Sequence, residues 1–210
     1  MTANLEKRLT TGLEQLDLKI SKEAVGKLIQ FVTLLDKWNK VYNLSAIRDS
    51  VQMVDLHLLD SLSVVSFISG ERILDVGTGA GIPGIPLALV CPDCHFVLLD
   101  SNGKKTRFIQ QAVLELGLKN VEIINSRVEN YHPDEPFVTI ISRAFASLSD
   151  MLAGTTHLVA KGGLLLAMKG RLNEHEQSEL PAGVEIEETI QLTVPGVDAE
   201  RHLIKVRLPA

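Results

Sequence analysis

The stretch Arg72-Ile-Leu-Asp-Val-Gly-Thr-Gly-Ala-Gly-Ile-Pro-Gly84 decides how this chain is read. A short apolar run, Ile73–Val76, is followed by glycines at 77, 79, 81 and 84, and then by the apolar run Ile85–Val90. That order predicts a strand, a glycine turn and a helix, a geometry in which bare backbone closes around a nucleotide-like ligand. Asp75 stands at the end of the strand. A carboxylate there suits a ligand carrying a positive charge, such as the ammonium of S-adenosylmethionine, and would repel a pyrophosphate. Gly79-Ala-Gly-Ile-Pro-Gly84 also matches the G-x-G-x-x-G dinucleotide fingerprint, but the chain already turns at Gly77, so the match is out of frame with the strand end. Asp100 closes the next apolar run, His95-Phe-Val-Leu-Leu-Asp100, where an acid would hold ribose hydroxyls of either ligand. Asp75 favours S-adenosylmethionine over a dinucleotide.

Working outward, the chain alternates short β-like runs with helical ones. Ile73–Val76, Phe96–Leu99, Val121–Ile124, Val138–Ile141 and Leu164–Met168 are expected strands; Pro83–Val90, Gly103–Leu116 and Leu148–Lys161 are expected helices, with a short turn near Arg127–Asn130. Val184–Val194 and His202–Leu208 read as two closing strands. The first seventy residues read as helical. Leu5, Leu9, Leu13 and Leu16 keep helical spacing, Ser21 caps a helix striped by Val25 to Trp38 that breaks at Asn39–Asn43, and Ser50 caps a third helix. The expected fold is α/β: a doubly wound, mostly parallel, Rossmann-like sheet at 71–210, with an N-terminal helical cap at 1–70.

With 22% charged and 45% hydrophobic residues, the composition is that of an ordinary globular protein. No stretch approaches the roughly 18 apolar residues of a membrane span, and Met1-Thr-Ala-Asn-Leu-Glu-Lys7 has no signal-peptide core, so a cytoplasmic monomer is expected. The net charge of −5 gives no bulk basic signature of nucleic-acid binding, although a local basic face is compatible with it. Cys91-Pro-Asp-Cys94-His95 matches a haem-attachment string, but it falls in a helix-to-strand turn with no room for a pocket. A zinc site would need a second ligand pair; no metal is expected.

Ligands of doubly wound sheets bind at the C-terminal strand ends. Trp38-Asn-Lys-Val-Tyr-Asn-Leu44, the glycine loop, Leu98-Leu-Asp-Ser101, Ile141-Ser-Arg-Ala-Phe-Ala-Ser147 and Val194-Pro-Gly-Val-Asp-Ala-Glu-Arg-His202 occur in this order. Together they resemble the bacterial glucose-inhibited division protein B family, from residue 20 to the end. The resemblance implies methylation of N7 of a guanine in 16S ribosomal RNA, in the small subunit or its assembly intermediate. It implies S-adenosylmethionine contacts at Gly77 and Ile82, at Asp100 and Ser101, at Val128-Glu129 and at Arg143; Asp75 and Gly79 join them from the reading of the loop. Attack by N7 needs no general base, because N7 offers an in-plane lone pair, so the chemistry asks for alignment. Arg143, at a strand end, is the expected catalytic residue, offering a fork to guanine O6, a phosphate or the methionine carboxylate. Lys104, Arg127, Lys169 and Arg201, with Lys105, Arg107 and Arg171, form an expected RNA-binding rim, and Phe145 is a candidate either for stacking on the target base or for the core. His57 and Asp60, at i and i+3, read as a helix-surface or cap-packing pair, while the resemblance implies a role for them near the pocket. The alternative is a methyltransferase acting on a small molecule, with the N-terminal helices as a lid.

Overall fold

The strand periodicity of two fixes which side chains meet which layer. In β1 (Arg72–Val76), Ile73 and Asp75 point to one face of the sheet and Leu74 and Val76 to the other. The computed structural model describes residues 2–145, 147–170, 180 and 184–208; Arg171 lies outside them. Further strands are β2 (His95–Asp100), β3 (Val121–Asn125), β4 (Phe137–Ser142), β5 (Val159–Lys169), β6 (Glu185–Gln191) and β7 (His202–Arg207). Among the described residues they form one seven-stranded sheet in the order β3-β2-β1-β4-β5-β7-β6. The β1–β5 ladders are parallel and β7 runs antiparallel between β5 and β6. The strand order reverses between β1 and β4, so the crevice at their C-terminal ends is the place for a ligand.

One face is covered by α1 (Thr2–Gln15), α2 (Lys22–Tyr42), a helical segment at 50–62, α5 (Gly84–Val90) and α6 (Gly103–Leu116). The 50–62 segment comprises α3 (Ser50–Met53), a π-helical turn (Val54–Leu59) and α4 (Asp60–Leu62). Leu5, Leu9, Leu28, Phe31, Leu58 and Leu59 from the first seventy residues share one apolar core with Ile73, Phe96, Leu98 and Phe108. Each such side chain, fully withdrawn from water, contributes about 1.5–3 kcal/mol. Phe31 and Trp38 of α2 meet Phe108 of α6 at ring-centroid distances of 6.1 and 5.7 Å, which ties the N-terminal helices to the sheet. Trp38 thus anchors this layer, whereas Tyr42, stacked on Trp38, remains 47% exposed. The opposite face carries α7 (Leu148–Thr155), whose Met151 and Leu152 pack on Leu74, Val97 and Ile140.

Three boundaries differ from the sequence reading. The helix from Leu148 ends at Thr155, and the chain from Val159 is already β5, pairing with Phe137. Asn39 does not break α2. It is buried inside it, its amide donating to the Ile47 carbonyl at 2.9 Å while its oxygen accepts from the Ser45 N–H at 2.8 Å, and the break comes at left-handed Asn43. Asp49, rather than Ser50, caps α3. Cys91 and Cys94 are free thiols in the α5–β2 turn.

Candidate active site

The glycine loop is held from below. Asp75 is wholly buried; its Oδ2 accepts from the Thr78 hydroxyl at 2.6 Å and from the Gly84 N–H at 2.8 Å. The expectation that this carboxylate meets the ligand's ammonium directly is therefore corrected. Strand parity turns Asp75 under the loop, beside the start of α5, and its role is to clamp the loop's two ends together. Burial pushes its pKa up to about 7, against the pull of those two hydrogen bonds. Its Oδ1 is buried with no hydrogen-bond partner among the described residues.

Above the clamp, the Gly77 and Thr78 N–H groups donate to the Leu99 carbonyl at 2.8 and 3.1 Å. Gly77 has φ +69°, and a Cβ there would stand 2.6 Å from Ala144 Cβ, so the bare backbone lets the loop lie against the end of β4. Ser142 locks that junction, donating to the Val76 carbonyl at 2.7 Å and accepting from the Ala144 N–H at 3.1 Å. Asp100 accepts the Gly79 N–H on Oδ2 at 2.8 Å and the Asn102 N–H on Oδ1 at 2.7 Å. Each carboxylate oxygen keeps lone-pair capacity for a further donor.

A cleft of about 200 Å³ opens there, lined by Gly77, Leu99, Asp100 and Ser101 on one side and by Arg127, Val128, Glu129 and Phe145 on the other. An acid at the end of β2, apolar walls from Leu99, Val128 and Phe145, and a glycine that cannot carry a Cβ fit an adenosyl group. Gly79 contributes its backbone to Asp100 and does not line the cleft. Ile82 is buried, its side chain in the core and its N–H donating to the Thr78 carbonyl at 2.8 Å. Phe145 lines this cleft and packs against the core of the α7 face.

A second cavity, of about 350 Å³, adjoins the first, since Arg143 lines one and Ala144 the other. Its walls include Leu56, His57 and Asp60 from the 50–62 segment, Arg143 after β4, Lys169 and Gly170 at the end of β5, and Arg201 before β7. Arg143 follows Ile141 by strand parity onto the face of the N-terminal helices. There its Nη1 donates to Asp60 Oδ2 at 2.8 Å and to the Leu56 carbonyl at 2.9 Å. Asp60 is 1% exposed, and its other oxygen accepts from Arg201 Nε at 2.9 Å. His57 and Asp60 are thus no surface pair. The π-helical turn, a form frequent at functional sites, carries His57 and leads directly into Asp60 beside these arginines.

Ser45 accepts from the Ile47 N–H and its hydroxyl lies 2.8 Å from His57 Nε2, while His57 Nδ1 lies 3.1 Å from the Leu56 carbonyl and 3.5 Å from Arg143 Nη2. Burial first, and the Arg143 charge second, lower the His57 pKa to about 4, so the ring is neutral near pH 7. Among the expected RNA contacts, Lys169 and Arg201 come together with Arg143 in this cavity. Arg127 borders the other cleft, and Lys104 stands exposed in the first turn of α6, lining neither. Sequence reasoning missed Ser45 and the Asp60 bridge. The i, i+3 spacing of His57 and Asp60 was the only local signal, because the partners of Asp60 lie 83 and 141 residues away.

This geometry has close relatives. Ribosomal RNA small subunit methyltransferase G from Nitrosococcus oceani is 52% identical over 202 residues, covering 96% of this chain and 94% of the relative. The protein of that name from Marinobacter nauticus is 51% identical over 199 residues, 95% and 93% of the two chains. Among solved structures, the N-methyltransferase NodS from Bradyrhizobium japonicum in complex with S-adenosyl-L-homocysteine is similar in fold. It has a TM-score of 0.59 at 17% identity, covering 83% of this chain and all of that one. TrmN from Thermus thermophilus gives 0.57 at 19% identity over 70% of this chain and 47% of that one. The sheet is that of the class I, Rossmann-like methyltransferases. Residues 24–204 match the GidB family model, rRNA small subunit methyltransferase G, and the chain belongs to that family.

Proposed function

We propose that this protein transfers a methyl group from S-adenosylmethionine to N7 of one guanine in 16S ribosomal RNA, as a monomer acting in the cytoplasm on the small subunit or its assembly intermediate. S-adenosylmethionine supplies an electrophilic methyl carried on a sulfonium. The adenosyl cleft would hold it through Asp100, Ser101, Gly77 and the Val128-Glu129 turn, with Arg143 and the clamped loop at the methionine end.

The observation that carries the N7 reading is that, among the described residues at the end of β4, no side chain offers a free proton acceptor. A methyltransferase acting on an exocyclic amine must deal with N–H protons and offers acceptors to them. Here the Ser142 hydroxyl is committed to Val76 and Ala144, and the next side chain is a guanidinium, a donor only. Guanine presents two acceptors, O6 and N7, on its Hoogsteen edge. Donors from Arg143 on O6 leave the N7 lone pair to react. His57 need not remove a proton, and its burial as a neutral ring agrees with that. The chain's contribution is to align the nucleophile and stabilise the arrangement, which is catalysis by positioning.

Transfer of labelled methyl to 30S subunits and to protein-free 16S rRNA, both from cells lacking the enzyme, tests this, followed by identification of the methylated nucleoside. The expected product is 7-methylguanosine at one site. A different methylated nucleoside, or transfer only to small molecules, would refute it.

A further inference from the structure

The 350 Å³ cavity lies beyond the adenosyl cleft and has a chemistry of its own. Ile47, Leu56, Met168 and Leu192 give it apolar walls, which suit a flat ring. Arg143 and Arg201 give it two guanidinium groups, and the carboxylate between them is spent on both. With His57 neutral, the described residues of the lining carry three cationic side chains, Arg143, Lys169 and Arg201, and one carboxylate, Asp60. Both Nη1 protons of Arg143 are taken by Leu56 and Asp60, and Arg201 gives Nε to Asp60 and Nη1 to the Glu200 carbonyl. Nη2 of Arg201 has no hydrogen-bond partner among the described residues.

An apolar slot edged by surplus donors matches a base whose edge offers acceptors and not donors. Guanine O6 is an acceptor where adenine carries an amino donor. The volume lies in the range of small-ligand pockets and accommodates a single base, so that base has to leave its stack to enter. Resting on the reading of the protein as a guanine methyltransferase, we propose that this cavity takes one guanine unstacked from the RNA. In it, Asp60 is the positioning residue that sets Arg143 and Arg201 against the acceptor edge of that base. Arg143 follows β4 and Arg201 precedes β7, so neither backbone alone fixes the spacing of the two guanidinium groups. Asp60 fixes it by accepting from both.

The test uses the full chain saturated with S-adenosylhomocysteine and follows GMP and AMP binding by ligand-detected NMR. GMP is expected to bind saturably and about tenfold more tightly than AMP. Arg201→Gln should erase that preference while leaving the affinity for S-adenosylhomocysteine unchanged. Asp60→Asn should reduce it and raise the KM for 30S subunits more than it lowers kcat. Asp60 is deeply buried, so a second variant, Leu192→Trp, fills the cavity from its half-exposed wall and should abolish GMP binding and methyl transfer together. Equal affinity for GMP and AMP, no saturable GMP binding, or full transfer by Leu192→Trp would overturn the proposal. Should the wild-type protein form 7-methylguanosine while Leu192→Trp stays fully active, the cavity assignment fails and the N7 reading stands. A different nucleoside product from the wild type removes the N7 reading itself.

Discussion

Replacing Gly84 with alanine puts the clamp beneath the glycine loop under direct load. The added Cβ would fall on the Leu98 side chain and stand 2.8 Å from Asp75 Oδ2 and 3.4 Å from Asp75 Cβ. Leu98 is wholly buried in β2 and cannot swing into solvent. Overpacking at such a position costs about 1–3 kcal/mol. Relief by shifting the backbone lengthens the Gly84 N–H bond to Asp75, and a buried acceptor that loses a partner costs about 1–3 kcal/mol more. The sum, about 2–6 kcal/mol, corresponds to a fall in Tm of roughly 4–24 °C for a chain of this length. Because the loop's backbone shapes the adenosyl cleft, affinity for S-adenosylhomocysteine should fall in parallel. Thermal unfolding followed by circular dichroism and calorimetric titration with S-adenosylhomocysteine read the two effects. A Gly84→Ala protein with wild-type Tm and affinity would refute the clamp.

Three further outcomes follow from the same physics. Gly26→Ala, in the interior of α2 where an added Cβ meets nothing within 4 Å, should raise stability by about 0.5–1 kcal/mol in denaturant titration. Arg8→Gln removes the bidentate partner of buried Asp55, bonded at 2.8 Å through both nitrogens, and should cost about 1–2 kcal/mol, with high salt making little difference to the loss. His57 and Asp75 should tilt the stability–pH profile in opposite senses. The folded pKa of His57 is depressed from 6.5 to about 4, so its contribution is present above 6.5 and is lost as pH falls towards 4; His57→Gln should flatten that limb. The folded pKa of Asp75 is raised from 3.8 to about 7, so its contribution is present below 3.8 and is lost as pH rises through 7; Asp75→Asn should remove that slope in equilibrium unfolding.

The sheet and the cleft at the ends of β1 and β2 were legible because their determinants are local. Ile73–Val76, the glycines after it and Asp100 sit within 30 residues, and each strand run announces itself by its apolar residues. Asp75 shows where local reading stopped short. Its place at the strand end suggested a ligand contact, yet its parity with Ile73 already pointed it into the layer beneath the loop, where Thr78 and Gly84 await it. Asn39 was misread for a related reason. Its low helix propensity was outweighed by two hydrogen bonds to the 45–47 backbone, which only the folded chain supplies. The second cavity was the least legible part. Its arginines were found one by one as basic residues at strand ends, but no spacing in the chain tells that Asp60 draws Arg143 and Arg201 onto one carboxylate. Lys104 has the right charge and faces outward from α6, away from both cavities' linings.

Methylation at guanine N7 leaves a chemical mark. A 7-methylated guanosine carries a positive imidazolium ring that borohydride reduction and aniline treatment convert into a chain break. Applied to 16S rRNA from cells with and without this protein, and to 30S subunits methylated in vitro, this treatment is expected to give one break, at a guanosine. The break should be present only where the protein has acted. RNA that has accepted the methyl group yet yields no such break would contradict it.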